Sequence, residues 1–343
     1  MPNPFNITFG EPPESLIERY EDINRIRSAF LDESPETKVF IITGPRGSGK
    51  TTLLTQARKT FKNKGFLTID LNPYEEMLEQ FASKLYEEGK MWKLFIQKEF
   101  SFSFQGISFS LKGKNELNNI HTLIEKMLEY VASKNKRVLI TIDDVSTSAN
   151  MKSFVFSYQQ WIREKYPLFL LMDGLYENIS EIENSKSLTF FLRAPKISLQ
   201  PLNLASVSYS YQKLLNLNEA DSIKYAKLTK GYAYGYQLLG SLLFKNGSPL
   251  NNLDEYDLKL NENSYSLIWK KLTQRERGIL KEMTKSSKQI DLCNALNMNN
   301  GNFQTYKKRL IDKGIIVSTS RGMVSFSLPR FKEFIKLQTL LED

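Results

Sequence analysis

The segment Gly44-Pro45-Arg46-Gly47-Ser48-Gly49-Lys50-Thr51 sets three glycines, a lysine and a threonine at the spacing of a loop that wraps phosphate. Glycine lets the backbone turn its N–H groups towards phosphate oxygens, and a helix opening at Thr52 adds the partial positive charge of its N-terminus. Lys50 is then expected to reach the β and γ phosphates of a nucleoside triphosphate, and the Thr51 hydroxyl to coordinate magnesium. Such a metal also needs a carboxylate at the end of a neighbouring buried strand. The apolar run Val138 to Ile142 ends on Asp143-Asp144, and no other apolar run ends in paired acids. Asp143 is expected to hold the magnesium through water, and Asp144 to polarise the attacking water.

These groups need a sheet to hold them. Short apolar runs at Val39–Thr43, Leu67–Leu71, Val138–Ile142, Leu168–Met172 and Ile197–Leu199 predict strands. Amphipathic helices are predicted between them, such as Thr52 to Lys62 and Glu116 to Ser133. Strands alternating with helices imply an α/β fold with a parallel sheet covered on both faces. One segment departs from that alternation. In Phe100 to Leu111, apolar residues fall on alternate positions around Gln105-Gly106. A two-residue turn there sets Phe104 opposite Ile107, Phe102 opposite Phe109 and Phe100 opposite Leu111. The hairpin either packs on its own domain or docks a protein partner or a second subunit.

Composition narrows the chemistry. Among 343 residues there is one cysteine, Cys293, and one histidine, His121, too few for a disulfide, a Cys/His zinc site or a histidine cluster. No motif supports a Ser-His-Asp or Cys-His nucleophile. The 41% hydrophobic and 25% charged residues suit a soluble globular chain. No apolar run approaches the roughly 20 residues that span a bilayer, and the N-terminal sequence has no secretory pattern. The expectation is a cytoplasmic protein with no membrane partner. The formal net charge is +9, and Thr273 to Asp343 carries 13 Lys and Arg against 7 Asp and Glu. A basic terminal module suits a polyanion partner, and a solvated basic surface would look the same.

With both motifs in place, the chain resembles the AAA+ and STAND branches of P-loop ATPases, particularly archaeal-ATPase-like and origin-recognition-like proteins. The resemblance runs over nearly the whole chain. It implies ATP and ADP as ligands, since no guanine-reading NKxD motif follows the core, with Mg2+ as cofactor. Ile17-Glu18-Arg19-Tyr20-Glu21-Asp22-Ile23 resembles the family's GRxxE lead-in beside the adenine, with Glu18 in place of glycine, which implies a nucleotide-binding Arg19. Asp173 stands where the family ends its fourth strand on Thr, Ser or Asn. Arg193 matches the position of an arginine finger, acting on its own subunit or a neighbour, and a surface arginine is the other reading. Lys230-Gly231-Tyr232-Ala233-Tyr234 matches the lid's GxP site with Ala233 in place of proline.

From Thr273 the pattern predicts a winged helix. Thr273-Gln274-Arg275-Glu276 is a capping box opening a first helix. A second opens at Ser287 with Ile290, Cys293 and Leu296 inward, and a third, Phe303 to Lys313, buries Phe303, Tyr306, Leu310 and Ile311. Strands at Ile315–Ser318 and Met323–Leu328 flank Ser320-Arg321-Gly322, and a last helix starts at Pro329. If the module binds double-stranded DNA, Gln304, Thr305, Lys307 and Lys308 would meet the major groove, and Arg321 the phosphates or minor groove. The alternative is a protein-docking module.

The expected architecture is therefore a P-loop NTPase core over residues 1–202 with the hairpin inserted near 100–111, a helical lid over 203–262 and a winged-helix domain over 263–343. The expected function is a magnesium-dependent ATPase whose nucleotide state controls contact with DNA or a partner. Its rivals are a non-hydrolysing nucleotide switch and a protein-docking regulator that binds no nucleic acid.

Overall fold

A computed structural model describes residues 2–8, 13–91, 100–104, 107–109, 115–116, 120–185, 189–248 and 253–342. The chain divides into two compact units. One comprises Tyr20–Thr43 and Lys50–Ile197, and the other Met1–Arg19, Gly44–Gly49 and Ser198–Asp343.

The first unit is built on strands β1 (Val39–Thr43), β2 (Leu67–Leu71), β6 (Val138–Ile142) and β7 (Leu168–Gly174). With β8 (Lys196–Ser198) they form a five-stranded sheet in the order β2-β6-β7-β1-β8. The β1–β7, β2–β6 and β6–β7 pairs are parallel. β1, β6 and β7 are buried along their whole length, which is why apolar residues dominate their sequences. Alternate side chains serve opposite faces. Ile41, Ile140 and Leu170 join a core with Phe81, Phe154 and Trp161, while Phe40 and Phe169 meet Phe30, which also touches Phe61. The parallel sheet with flanking helices is the expected α/β architecture.

β7 runs two residues beyond the expected end because Ile42 and Thr43 still have partners in Asp173 and Gly174. That extension brings Asp173 into the sheet. The helix expected from Glu116 begins instead at Ile120. Asn115–Glu116 forms the short strand β5, with Ser101 opposite Glu116. β3 (Phe100–Phe104) and β4 (Ile107–Phe109) pair antiparallel, with Phe102 opposite Phe109 and Phe104 opposite Ile107. The expected turn at 105–106 and the Phe100–Leu111 pair lie outside the described residues.

In the second unit, helices Leu204–Leu215 and Glu219–Thr229 open on Asn203 and Asn218, whose side chains accept from N–H groups of the first turn. Helix Ala233–Asn246 follows, and Phe5 of the N-terminal segment packs on its Gly240, where any side chain would strike the ring. A π-helical turn, Asn261–Tyr265, leads to the C-terminal module. Its helices are Gln274–Met283, Gln289–Ala295 and Asn300–Asp312, followed by β9 (Ile316–Ser320), β10 (Met323–Phe326) and helix Phe331–Glu342. The Thr273 capping box forms as expected. Thr273→Ala is expected to cost about 1 kcal/mol in urea unfolding, and Thr273→Ser to restore most of it.

Two expected core positions move. Ser287 does not open the second helix; it accepts from Val324 N–H while Gln289 N–H donates to Gly322. Ser287 to Gln289 therefore lies along the β9–β10 ribbon, and the helix starts at Gln289. That shift buries Leu292 and leaves Ile290 69% exposed. In the third helix Phe303 and Leu310 are buried, but Ile311 is 36% exposed. Lys307, expected to point outward, is half-buried, whereas Gln304, Thr305, Lys308 and Arg321 are exposed.

Candidate functional site

Within the sheet-bearing unit, the chemistry gathers at the carboxyl ends of β6 and β7, where open parallel sheets bind ligands. Helix Lys50–Asn63 begins there, with Lys50, Thr51 and Thr52 as its first residues. The Thr51 hydroxyl donates to Asp143 Oδ1 at 3.1 Å. The two groups expected to share a metal are thus neighbours. Among the described residues no cluster of three or more His, Cys, Asp or Glu could hold a metal. A magnesium here would draw on one hydroxyl, one carboxylate, water and phosphate oxygens, the usual donor set of that ion in phosphate sites.

Asp143 is followed by a strained residue. Asp144 is exposed at φ 51°, a left-handed conformation, and its N–H donates to Asp173 Oδ1 at 3.2 Å. Val145 N–H donates to the Asp173 carbonyl at 2.9 Å. Asp173 therefore fixes the backbone that aims Asp144 outward. Its own side chain is fully buried, and its Oδ2 finds no donor. Burial, then the Asp143 charge, pushes its pKa up to about 8, with Lys50 opposing the rise. The sequence comparison with Thr, Ser or Asn at this position gains a physical meaning: a protonated Asp173 is also a neutral polar group.

Tyr74 was missed by the sequence reading. It lies just after β2, exposed, and its hydroxyl is held protonated by desolvation and by the Asp144 and Asp143 charges. Its place just past the carboxyl end of a strand next to β6 is the signal that could have found it. Arg193 ends the 3₁₀ turn Thr189–Arg193 and is exposed. Among the described residues it makes no hydrogen bond or ion pair with the acids at the strand ends.

The second unit contains the glycine loop from Gly44 to Gly49. Gly47 and Gly49 have φ of 75° and 92°, so each needs glycine. Tyr232 and Tyr234 press on Gly47, leaving no room for a Cβ. The Tyr232 hydroxyl donates to the Arg46 carbonyl at 2.6 Å, and Tyr234 N–H donates to the Gly47 carbonyl at 3.0 Å. Burial keeps the Tyr232 phenol protonated well above its ordinary range. Arg46 is exposed, and its Nε donates to Asn263 at 3.4 Å. Arg19 donates through Nη2 to the Ser48 carbonyl at 3.0 Å and through Nη1 to Gln200 at 2.7 Å. Ser48 N–H turns onto the Pro45 carbonyl at 3.2 Å. Ser48 Oγ is buried and has no hydrogen-bond partner, an orphan that a phosphate oxygen would satisfy. The loop as built fits an anion.

Residues 16–165 match the model of an ATPase domain predominantly from Archaea, and residues 262–335 that of a domain of unknown function, DUF8462. No curated protein sequence matches the chain. Among solved structures the chain is similar to the ORC2 protein of Aeropyrum pernix in its ADPNP-ADP complexes, at 14% identity, 98% of each chain and a TM-score of 0.56. It also matches Cdc6p from Pyrobaculum aerophilum at 13% identity, covering 98% of this chain and 96% of that one with a TM-score of 0.49. A STAND protein with a tetratricopeptide repeat sensor from Pyrococcus horikoshii matches at 18% identity over 95% of this chain and 43% of that one, TM-score 0.43. Such identities speak to fold alone. Residues 16–165 are therefore similar to an ATPase domain predominantly from Archaea, and the chain as a whole is similar in fold to the ORC2 protein.

Proposed function

We propose that this chain is a magnesium-dependent ATP-binding and hydrolysing switch. The observation that carries the reading is the Thr51–Asp143 hydrogen bond, a hydroxyl and a carboxylate meeting beside Lys50 at the carboxyl end of a parallel sheet. In this reading the loop N–H groups and the Ser48 hydroxyl bind the phosphates, with Arg19 bracing the loop, and Lys50 neutralises charge growing on the transferred group. Thr51 and Asp143 would hold magnesium, which supplies charge neutralisation between phosphate oxygens when bound. Asp144 accepts a proton from the attacking water, its carboxylate held clear of the core by the hydrogen bond from its N–H to Asp173. Arg193 would add a guanidinium to the transferred phosphoryl group, from its own chain or a second copy.

Residues 1–202 would be the core, 203–262 the lid and 263–343 a winged-helix module. Exposed Gln304, Thr305, Lys308 and Arg321, with half-buried Lys307, form the face we propose for double-stranded DNA. Phosphate release from ATP, measured with magnesium and again with excess EDTA, tests the enzymatic part. Release that stops with EDTA is expected; nucleotide binding with no release in either condition would leave a switch without hydrolysis. Binding to random duplex DNA at two salt concentrations tests the module, because phosphate contacts weaken steeply as salt rises.

A further inference from the structure

The glycines that let the phosphate loop turn also leave its peptides free to rotate, so an anion meets ready N–H groups only where something else holds the loop. Three successive carbonyls of the loop are held from outside it. The Tyr232 hydroxyl donates to the Arg46 carbonyl at 2.6 Å, Tyr234 N–H to the Gly47 carbonyl at 3.0 Å and Arg19 Nη2 to the Ser48 carbonyl at 3.0 Å. In a trans peptide the C=O and the following N–H point to opposite sides. Holding these carbonyls therefore sets the N–H groups of Gly47 and Gly49, the two residues at positive φ, and that of Ser48, which closes a turn on the Pro45 carbonyl at 3.2 Å.

Tyr232 stands at the N-cap of helix Ala233–Asn246, a position that favours Ser, Thr, Asp or Asn, yet its side chain caps no N–H of that helix. Its hydroxyl goes to the loop instead. The residue is 5% exposed, and its ring is stacked on Tyr265 with 6.4 Å between centroids and meets Tyr234 edge-on at 6.3 Å. A carbonyl can only accept, so the phenol proton lies on the Arg46 side, and Ser264 Oγ, 2.7 Å away, donates to the phenol oxygen. The ring is thus fixed in place and its one donor is committed to the loop.

We infer that Tyr232 is a positioning residue of the phosphate site: its hydroxyl, with the Tyr234 N–H and the Arg19 guanidinium, clamps the loop in its anion-binding form before the anion arrives. This rests on the reading of the loop as a nucleotide site. It gives the start of helix Ala233–Asn246 a part in affinity that needs no contact with phosphate or base.

Calorimetry of the full chain with ADP and with inorganic tripolyphosphate, both with magnesium, tests the clamp. Tyr232→Phe removes the hydroxyl, keeps the ring and is expected to weaken both ligands by the same factor, about fivefold, the scale of one lost hydrogen bond. Ser264→Ala removes the other partner of the same hydroxyl but leaves its donation to Arg46, and is expected to change either affinity by less than about twofold. Arg19→Lys, at a half-buried residue outside the tyrosine cluster, keeps the charge and loses the fork that spans the Ser48 and Gln200 carbonyls. It is expected to weaken both ligands at least about threefold, and it keeps the clamp open to test where the phenylalanine variant does not fold. Wild-type affinity in Tyr232→Phe or in Arg19→Lys, a loss for ADP alone, or equal losses in Tyr232→Phe and Ser264→Ala overturns the clamp and leaves the loop reading standing. A wild type that binds neither compound overturns both.

Discussion

Alanine at Lys50 is expected to lower nucleotide turnover by at least about a hundredfold, the scale on which removal of one preorganised charge-stabilising donor slows an enzyme. Lys50 opens the helix that also carries Thr51, and its ammonium is close enough to Asp173 to oppose that residue's raised pKa. Removing it leaves two carboxyl groups facing each other with that cation gone, so binding of the triphosphate should weaken together with turnover. Asp143→Asn should separate the two effects. The asparagine keeps an oxygen to accept from Thr51, preserving local geometry, but loses the charge a magnesium ion needs. Turnover should fall by a similar factor, with a higher magnesium requirement and a smaller change in ADP affinity. Phosphate-release rates across a magnesium titration, beside calorimetric affinities, check both variants. Turnover equal to wild type in either would remove the hydrolytic reading.

The sheet was legible because a parallel strand covered on both faces draws mostly apolar residues into a short run. Val39–Thr43, Leu67–Leu71 and Val138–Ile142 stand out for that reason, and their observed bounds coincide with the apolar runs. The phosphate loop and the acid at the end of β6 were legible because their chemistry needs fixed residue types at fixed spacing. What depends on approach between distant segments was not. The tyrosines pressing on Gly47 come from about 185 residues further along, and nothing local in Tyr232-Ala233-Tyr234 announces that contact. Ile290 and Ile311 fit a helical stripe, yet pairing of Ser287 to Gln289 along the ribbon delayed the module's second helix, and a cavity took the face that Ile311 presents on its third. Asp173 is the clearest example. An acid at the end of an apolar strand reads as a solvated terminus, but its partnership with Thr43's neighbour Ile42 draws it fully into the sheet.

That burial has a measurable consequence in the stability of the chain. Asp173 holds its proton in the folded state up to about pH 8, while its ordinary value is 3.8. Between those limits the native state binds more protons than the unfolded chain, so this residue makes stability fall as pH rises from about 4 to about 8, with no further change outside that window. Asp173→Asn removes the titration and keeps an oxygen for the Asp144 N–H. The variant should match wild type near pH 4 and exceed it at pH 8 by up to about 5 kcal/mol, the linkage of a carboxyl whose pKa moves from 3.8 to about 8 on folding. Thermal unfolding at pH 5, 6.5 and 8 should show a gap in midpoint that widens with pH. Asp173→Ala supplies the contrast: it also loses the acceptor that fixes Asp144 in its left-handed conformation, so it should gain less stability than asparagine and lose more turnover. A gap that stays constant from pH 5 to 8 would mean that Asp173 is ionised in the folded chain, and the neutral-acid role at the end of β7 would fall with it.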